Sequence, residues 1–220
     1  MKPFKKFLIE TPPPEDWDRQ VFDTSYKKQL AYAMERAKKI GSGSSRVVFE
    51  IPFEGRPTVL KIAKNAKGLA QNGKEADWGM YRMNPDITCP LIDYDEEHDQ
   101  PTWIHLEKAE KLKASVFKSI EGFSFEDFGY MVRDCEQTRE GRKGKYFEIN
   151  WEGHVSDEKE IEKIRESELF YDVERIMGDF DIMAGDLQRL ANWGLYKGHP
   201  VIIDLGVNSE IARTHYGFKV

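Results

Sequence analysis

Lys39-Ile40-Gly41-Ser42-Gly43-Ser44-Ser45-Arg46-Val47-Val48-Phe49 is the stretch on which the reading of this chain turns. Apolar residues flank a Gly-x-Gly turn, and Arg46 to Pro52 alternates apolar and polar, the period of a half-buried strand. Glycine lets backbone N–H groups approach an anion with no Cβ in the way, and a run of such amides makes a nest for phosphate-like oxygens. A plain hairpin turn uses the same residues. No Gly-Lys-Ser/Thr follows, so this is not a Walker loop.

Moving outward from the loop, Thr58 to Ala63 alternates in the same way, and Glu54-Gly55-Arg56-Pro57 joins the two runs as a hairpin. Lys61 stands among Val59, Leu60, Ile62 and Ala63, so its ammonium must reach an anion or snorkel to water. A short strand over Ala37–Ile40 precedes the loop. The spacing predicts a helix over Lys74–Met83, after a connection containing Gly and Asn and before Asn84-Pro85. That helix carries Glu75 and Asp77. Ile87–Tyr94 and Thr102–Glu107 read as a second strand pair. Upstream, residues 1–15 with Pro12-Pro13-Pro14 read as an extended arm, and Thr24–Lys38 reads as a helix capped by Thr24 or Ser25.

The second half reads as mostly helical. Phe125–Glu136 is a predicted helix, and residues 137–156 form a polar, glycine-containing insertion with the basic residues Arg139, Arg142, Lys143 and Lys145. A long helix opens at Ser156-Asp157-Glu158-Lys159 and keeps an apolar face through Ile161, Ile164, Phe170, Val173, Ile176 and Met177. Gly185-Asp186-Leu187 leads to Asn192, with Ala184 before it. Leu195–Pro200 makes a short hairpin. Val201–Leu205 is an apolar, β-branched strand that carries Asp204 near its end, followed by Gly206. No internal repeat is present.

In this order the parts resemble the protein-kinase-like superfamily. Gly41, Gly43 and Val48 are similar to its GxGxxGxV loop, with Arg46 where the third glycine stands. That arginine either contacts phosphate or lies over the sheet in solvent. Lys61, 13 residues after Val48, matches the strand lysine, and Glu75 its helix partner, with Asp77 as the competitor. Trp103 to Ala109 resembles the link between lobes, where the backbone of Glu107 and Ala109 reads an adenine. His105 on this strand reads as an outward or satisfied histidine. Gly185-Asp186-Leu187 is similar to the catalytic loop of aminoglycoside phosphotransferases, with Ala184 in place of histidine. The step from Asp186 to Asn192 is one residue longer than the family's. Ile203-Asp204-Leu205-Gly206 matches the metal-binding Asp-x-Gly.

The resemblance implies an α+β, two-lobed protein-kinase-like fold. An N-terminal arm and helix (1–36) precede an antiparallel-sheet N-lobe with one helix (37–109) and a truncated, mostly helical C-lobe (110–220). It implies ATP and Mg2+ as cofactors. Asp186 and Lys61 would be catalytic, Gly41, Gly43, Val48, Lys61, Glu75, Glu107 and Ala109 would hold the nucleotide, and Asn192 and Asp204 the metal. The chemistry would be γ-phosphoryl transfer to a hydroxyl of a protein or small-molecule acceptor. Few residues follow Gly206, so the platform on which protein kinases lay a peptide is expected to be missing. Small stand-alone kinases of this kind occur in phage genomes. Two alternatives stay open: a pseudokinase that binds a nucleotide or partner without catalysis, and an unrelated α+β interaction protein.

Composition bounds the rest. The 220 residues are 40% hydrophobic and 33% charged, which suits one sizeable globular unit or two small lobes. A net charge of −6 argues against a general nucleic-acid or membrane footprint. Cys89 and Cys135 have no metal spacing, no apolar run is long enough to span a bilayer, and the N-terminus has no signal core, so a cytoplasmic location is expected.

Overall fold

The computed structural model describes residues 17–18, 25–80, 87–139, 158–205 and 207–217. The proline arm, Asn84-Pro85, nearly all of the 137–156 insertion and Gly206 lie outside the described residues.

The architecture is α+β, with a five-stranded antiparallel sheet and its helices in one lobe and a mostly helical second lobe. The strands are β1 (Lys38–Ser42), β2 (Arg46–Phe53), β3 (Arg56–Ala63), β4 (Leu91–Tyr94) and β5 (Trp103–Glu107), in the spatial order β1-β2-β3-β5-β4. Every neighbouring pair is antiparallel. The β2–β3 turn is tighter than expected: Phe53 pairs with Arg56, leaving Glu54 and Gly55, both with positive φ, as a two-residue hairpin turn.

Side-chain parity divides the sheet into two faces. Val47, Phe49 and Ile51 of β2 and Leu60 and Ile62 of β3 bury themselves with Ala33 of helix α1 (Tyr26–Arg36) and with Trp17 and Trp103. Arg46, Val48, Val59 and Lys61 therefore share the opposite face. Helix α2 (Ala66–Met80) packs against that lobe through Ala76, near Ile104 and Leu106.

Helix α2 starts eight residues before the predicted Lys74. The Gly and Asn residues assigned to a connection lie inside it, and they do so for packing reasons. A Cβ on Gly68 would meet the Ser45 carbonyl oxygen at 2.2 Å and Ala63 Cα at 3.0 Å, so only glycine lets α2 approach the loop this closely.

A second, three-stranded sheet joins β6 (Glu110–Lys111), β7 (Trp193–Tyr196) and β8 (His199–Ile202). The β7–β8 turn is Lys197-Gly198, again with positive φ at both residues. Strand β8 ends at Ile202, earlier than the expected Leu205. Thr88 bridges to Ile202 in parallel, and Ile202 N donates to the Ile87 carbonyl at 2.7 Å, so the approach to β4 is stitched to the second lobe.

Helices α3 (Ala114–Glu121), α4 (Phe125–Arg139), α5 (Glu158–Glu166) and α6 (Glu168–Phe180) surround a core in which Phe117, Phe123, Phe125 and Phe128 pack edge-on and tilted against each other and against Trp193. The single long helix expected from Ser156 is two helices. The Ser167 hydroxyl accepts from Phe170 N at 3.1 Å and caps α6, which breaks the run. Short helix α7 (Ala184–Leu187) and a 3-10 turn (Leu190–Asn192) lead into β7, and α8 (Ser209–Tyr216) packs on α2. No helix among the described residues is long and apolar enough to cross a membrane.

Candidate nucleotide site

Between the two sheets lies a cavity of about 660 Å³. Gly41, Gly43, Val48, Lys61, Glu107, Ala109, Asn192 and Asp204, all singled out in the sequence, line it. Glu75 stands behind Lys61, and Asp186 is not among the lining residues.

Lys61 is buried. Its Nζ donates to Glu75 Oε2 at 2.6 Å and to the Ile203 carbonyl at 2.6 Å, so one side chain joins β3, α2 and the segment after β8. Glu75 is the partner, and Asp77 is exposed on the far side of the helix.

Arg46 points neither at solvent nor over the sheet. It is 5% exposed, and its Nη2 pairs with Glu75 Oε1 at 2.7 Å and with the Asp204 carboxylate. Its Nη1 donates to Asn72 Oδ1 at 3.4 Å. Burial opposes the guanidinium's charge, but the Glu75 and Asp204 carboxylates outweigh it and raise its pKa. Two cations and two carboxylates thus form one network, to which Leu205 N also donates, at 3.4 Å from Glu75 Oε1.

The glycine loop is tied at its base. Gly43 N donates to the Arg46 carbonyl at 3.0 Å, Lys64 Nζ to the Gly43 carbonyl at 2.9 Å and Asn65 Nδ2 to the Ser44 carbonyl at 3.0 Å. The Ser45 hydroxyl donates to Gln71 Oε1 at 2.5 Å, and Gln71 Nε2 donates to the Tyr216 hydroxyl at 3.2 Å. Neither Gly41 nor Gly43 has positive φ, and a Cβ on Gly43 would meet no protein atom within 4 Å. The protein's own packing does not demand glycine there. What a Cβ would fill is space beside the cavity.

At the opposite end, the Cys89 thiol donates to the Glu107 carbonyl at 2.9 Å. Burial pushes that thiol up to about 12, so it stays protonated and keeps donating. His105 is buried, its Nε2 2.8 Å from the Thr58 hydroxyl, on the α1 side of the sheet: a satisfied histidine away from the cavity.

Asp186 sits in α7. Asn192 Nδ2 donates to its carbonyl at 3.0 Å, Trp193 Nε1 to the Leu187 carbonyl at 2.8 Å and Gln188 Nε2 to the Gly129 carbonyl at 3.0 Å, so the long Asp186–Asn192 step is a pinned loop. Ala184 N donates to Glu136 Oε1 at 2.7 Å. Burial first, and then the negative charge of Asp204, push the Asp186 carboxyl up to about 6.

The glycine turn and the lysine leave space and positive charge for an anionic ligand, while Glu107 N already donates to the Pro90 carbonyl at 2.9 Å and the Glu107 carbonyl accepts from Cys89. A magnesium ion fits less well. Asp204 and Asn192 both edge the cavity, but Asp204 already holds a guanidinium, and a dication on the same carboxylate would lie against that positive charge. Among the described residues no group of three or more His, Cys, Asp or Glu is placed to hold a metal.

Sequence reasoning missed Gln71, Asn72 and Cys89 and left the direction of Arg46 open. A signal was present for Arg46, since it shares strand parity with Val48, which pairs directly with Lys61. Gln71, Asn72 and Glu75 recur at helical spacing, but they show only once α2 is started at Ala66.

No protein-family model matches the chain, and no curated protein matches it. Among solved structures it is similar to Cex1p, with a TM-score of 0.42 and 13% identity over 82% of this chain and 29% of that one. It is also similar to Rad53 residues 1–466 in complex with AMP-PNP, with a TM-score of 0.40 and 14% identity over 86% of this chain and 47% of that one. Both are distant likenesses, and the chain spans less than half the length of either.

Proposed function

We propose that this protein binds a purine nucleoside triphosphate, ATP by the resemblance, in the cavity between its sheets and acts as a kinase-like phosphotransferase toward a hydroxyl acceptor. The observation that carries the proposal is the convergence of three distant segments, 41–48, 61–75 and 192–204, on one cavity with the Lys61–Glu75 ion pair at its wall. In this reading Val48 packs on the base, the Glu107 carbonyl, which can accept a second bond beside that of Cys89, and the backbone of Ala109 meet its edge, and the Gly41–Gly43 turn and Lys61 face the phosphates.

Asp186 lies off the cavity wall, where an acceptor hydroxyl rather than the nucleotide would meet it. Its carboxylate takes the proton as the acceptor oxygen bonds to the γ-phosphorus. The bond from that phosphorus to the bridging oxygen breaks, and ADP leaves with the electron pair. A carboxyl pushed up to about 6 is still ionised at neutral pH and is a better base than an ordinary one. Magnesium at Asp204 and Asn192 belongs to this reading only if Arg46 first leaves Asp204.

The hold of Arg46 on Asp204 favours a second reading, nucleotide binding without transfer. Two measurements separate the readings. Melting curves with millimolar ATP or ADP should shift upward, and no shift removes the nucleotide reading. Transfer of label from γ-labelled ATP to added hydroxyl acceptors, lost in Asp186→Asn with nucleotide binding retained, marks the enzyme. Binding with no transfer marks the binding module.

A further inference from the structure

We propose that Arg46, rather than a metal ion, is the cation that receives the nucleotide's phosphates, so that the cleft takes a metal-free nucleoside di- or triphosphate. This rests on the nucleotide reading above and assigns the chemistry of its phosphate end.

Arg46 lines the cavity and comes from the same sheet face as Val48 and Lys61. Its guanidinium has reached the Asp204 carboxylate, the group to which the resemblance assigns the metal. Three elements hold it there: Glu75 and Asn72 from α2, Asp204 after β8, and β2 itself. A side chain 158 residues from its partner in sequence, buried and bonded on both sides of a cleft, is a built feature of that cleft.

A guanidinium carries five N–H donors in a planar fork, a geometry that suits phosphate oxygens. Its bonds to Glu75, Asp204 and Asn72 use three of them. Glu75 is buried and anchors the fork, while the Asp204 side chain is 53% exposed. Phosphate oxygens arriving from the glycine loop then replace Asp204 on the outer edge of Arg46. Lys61, held by Glu75 and the Ile203 carbonyl, contributes the second positive charge. A divalent ion would have to share Asp204 with the guanidinium or expel it from a pocket in which it is already bonded.

The test is calorimetric titration of the full chain with ADP and with ATP, once in EDTA and once in millimolar magnesium. Affinity in EDTA should lie within about threefold of that in magnesium. Arg46→Gln should weaken binding in EDTA by at least about tenfold, and Arg46→Lys, which keeps the charge without the fork, should fall between. Asp204→Asn should tighten metal-free binding several-fold, because it removes a negative charge and a competitor for the guanidinium. Loss of a metal ligand would weaken binding instead, so the sign of this change decides even if Arg46→Gln fails to fold. Binding only in magnesium, or weakening by Asp204→Asn, overturns the role of Arg46 and leaves the nucleotide reading standing. No binding in either buffer overturns both.

Discussion

Gly43 shows how a single residue separates structural from functional demand. Its φ is ordinary, and a Cβ there would touch no protein atom within 4 Å, so Gly43→Val should leave the melting temperature within a degree or two. In the proposed site the same side chain would project toward the phosphates, and nucleotide affinity should fall by about tenfold or more, read by titration. His105 makes a different point. Burial, more than the opposing charge of Arg56, lowers its pKa from 6.5 to about 4, while Glu107 pulls the other way. Between those values the unfolded chain binds a proton that the folded chain does not. Stability from this group is therefore complete above about pH 7, declines as pH falls below 6.5 and is gone by about pH 4. The amount is on the order of 3 kcal/mol. Urea unfolding at a series of pH values should show that slope, and His105→Asn should flatten it.

Helix α2 is the element on which the site is hung, and its amino-terminal half explains why the predicted boundary was late. Gly68, Asn72 and Gly73 look like loop residues by composition, yet each lies within the helix. Asn72 is buried and accepts from Arg46, and Gly68 gives way to the Ser45 carbonyl. By propensity alone Gly68→Ala should stabilise a helix by about 1 kcal/mol. The 2.2 Å approach to backbone outweighs that gain, because neither a carbonyl nor the Ala63 backbone can rotate away like a flexible side chain. The expected outcome is net destabilisation together with weaker nucleotide binding, since the displaced partner is the glycine loop itself. A stabilised variant with unchanged affinity would refute this account of the helix.

Across the whole molecule, the two lobes are joined through charge as well as through the Ile87–Cys89 stitch to β8. Glu75 accepts from both Lys61 and Arg46, and those cations reach Ile203 and Asp204 across the cavity. The network is balanced only while Glu75 is charged. Glu75→Gln leaves two buried cations facing one half-exposed carboxylate, and it should cost about 3–5 kcal/mol. Lys61→Met leaves Arg46 on Glu75, so its cost should be clearly smaller. Urea unfolding of the two variants side by side checks the ordering, and equal losses would mean that Glu75 does not serve both cations.

The local features were legible in the chain itself. Period-two alternation set Val48, Lys61 and the apolar partners of α1 on opposite faces, a glycine turn marked the loop, and Glu75 was placed for Lys61. The alternation and the turn follow from covalent geometry over a few residues, which sequence carries directly, whereas the pairing of Glu75 with Lys61 rested on the kinase-like resemblance. Folding alone decided that Arg46 turns inward to Asp204, that Cys89 meets the Glu107 carbonyl and that Asp186 stands off the cavity wall. It also decided that Ser167 splits a helix whose apolar face runs on unbroken. Each of these depends on which distant backbone arrives beside which side chain, and a buried guanidinium takes the carboxylates that packing brings to it.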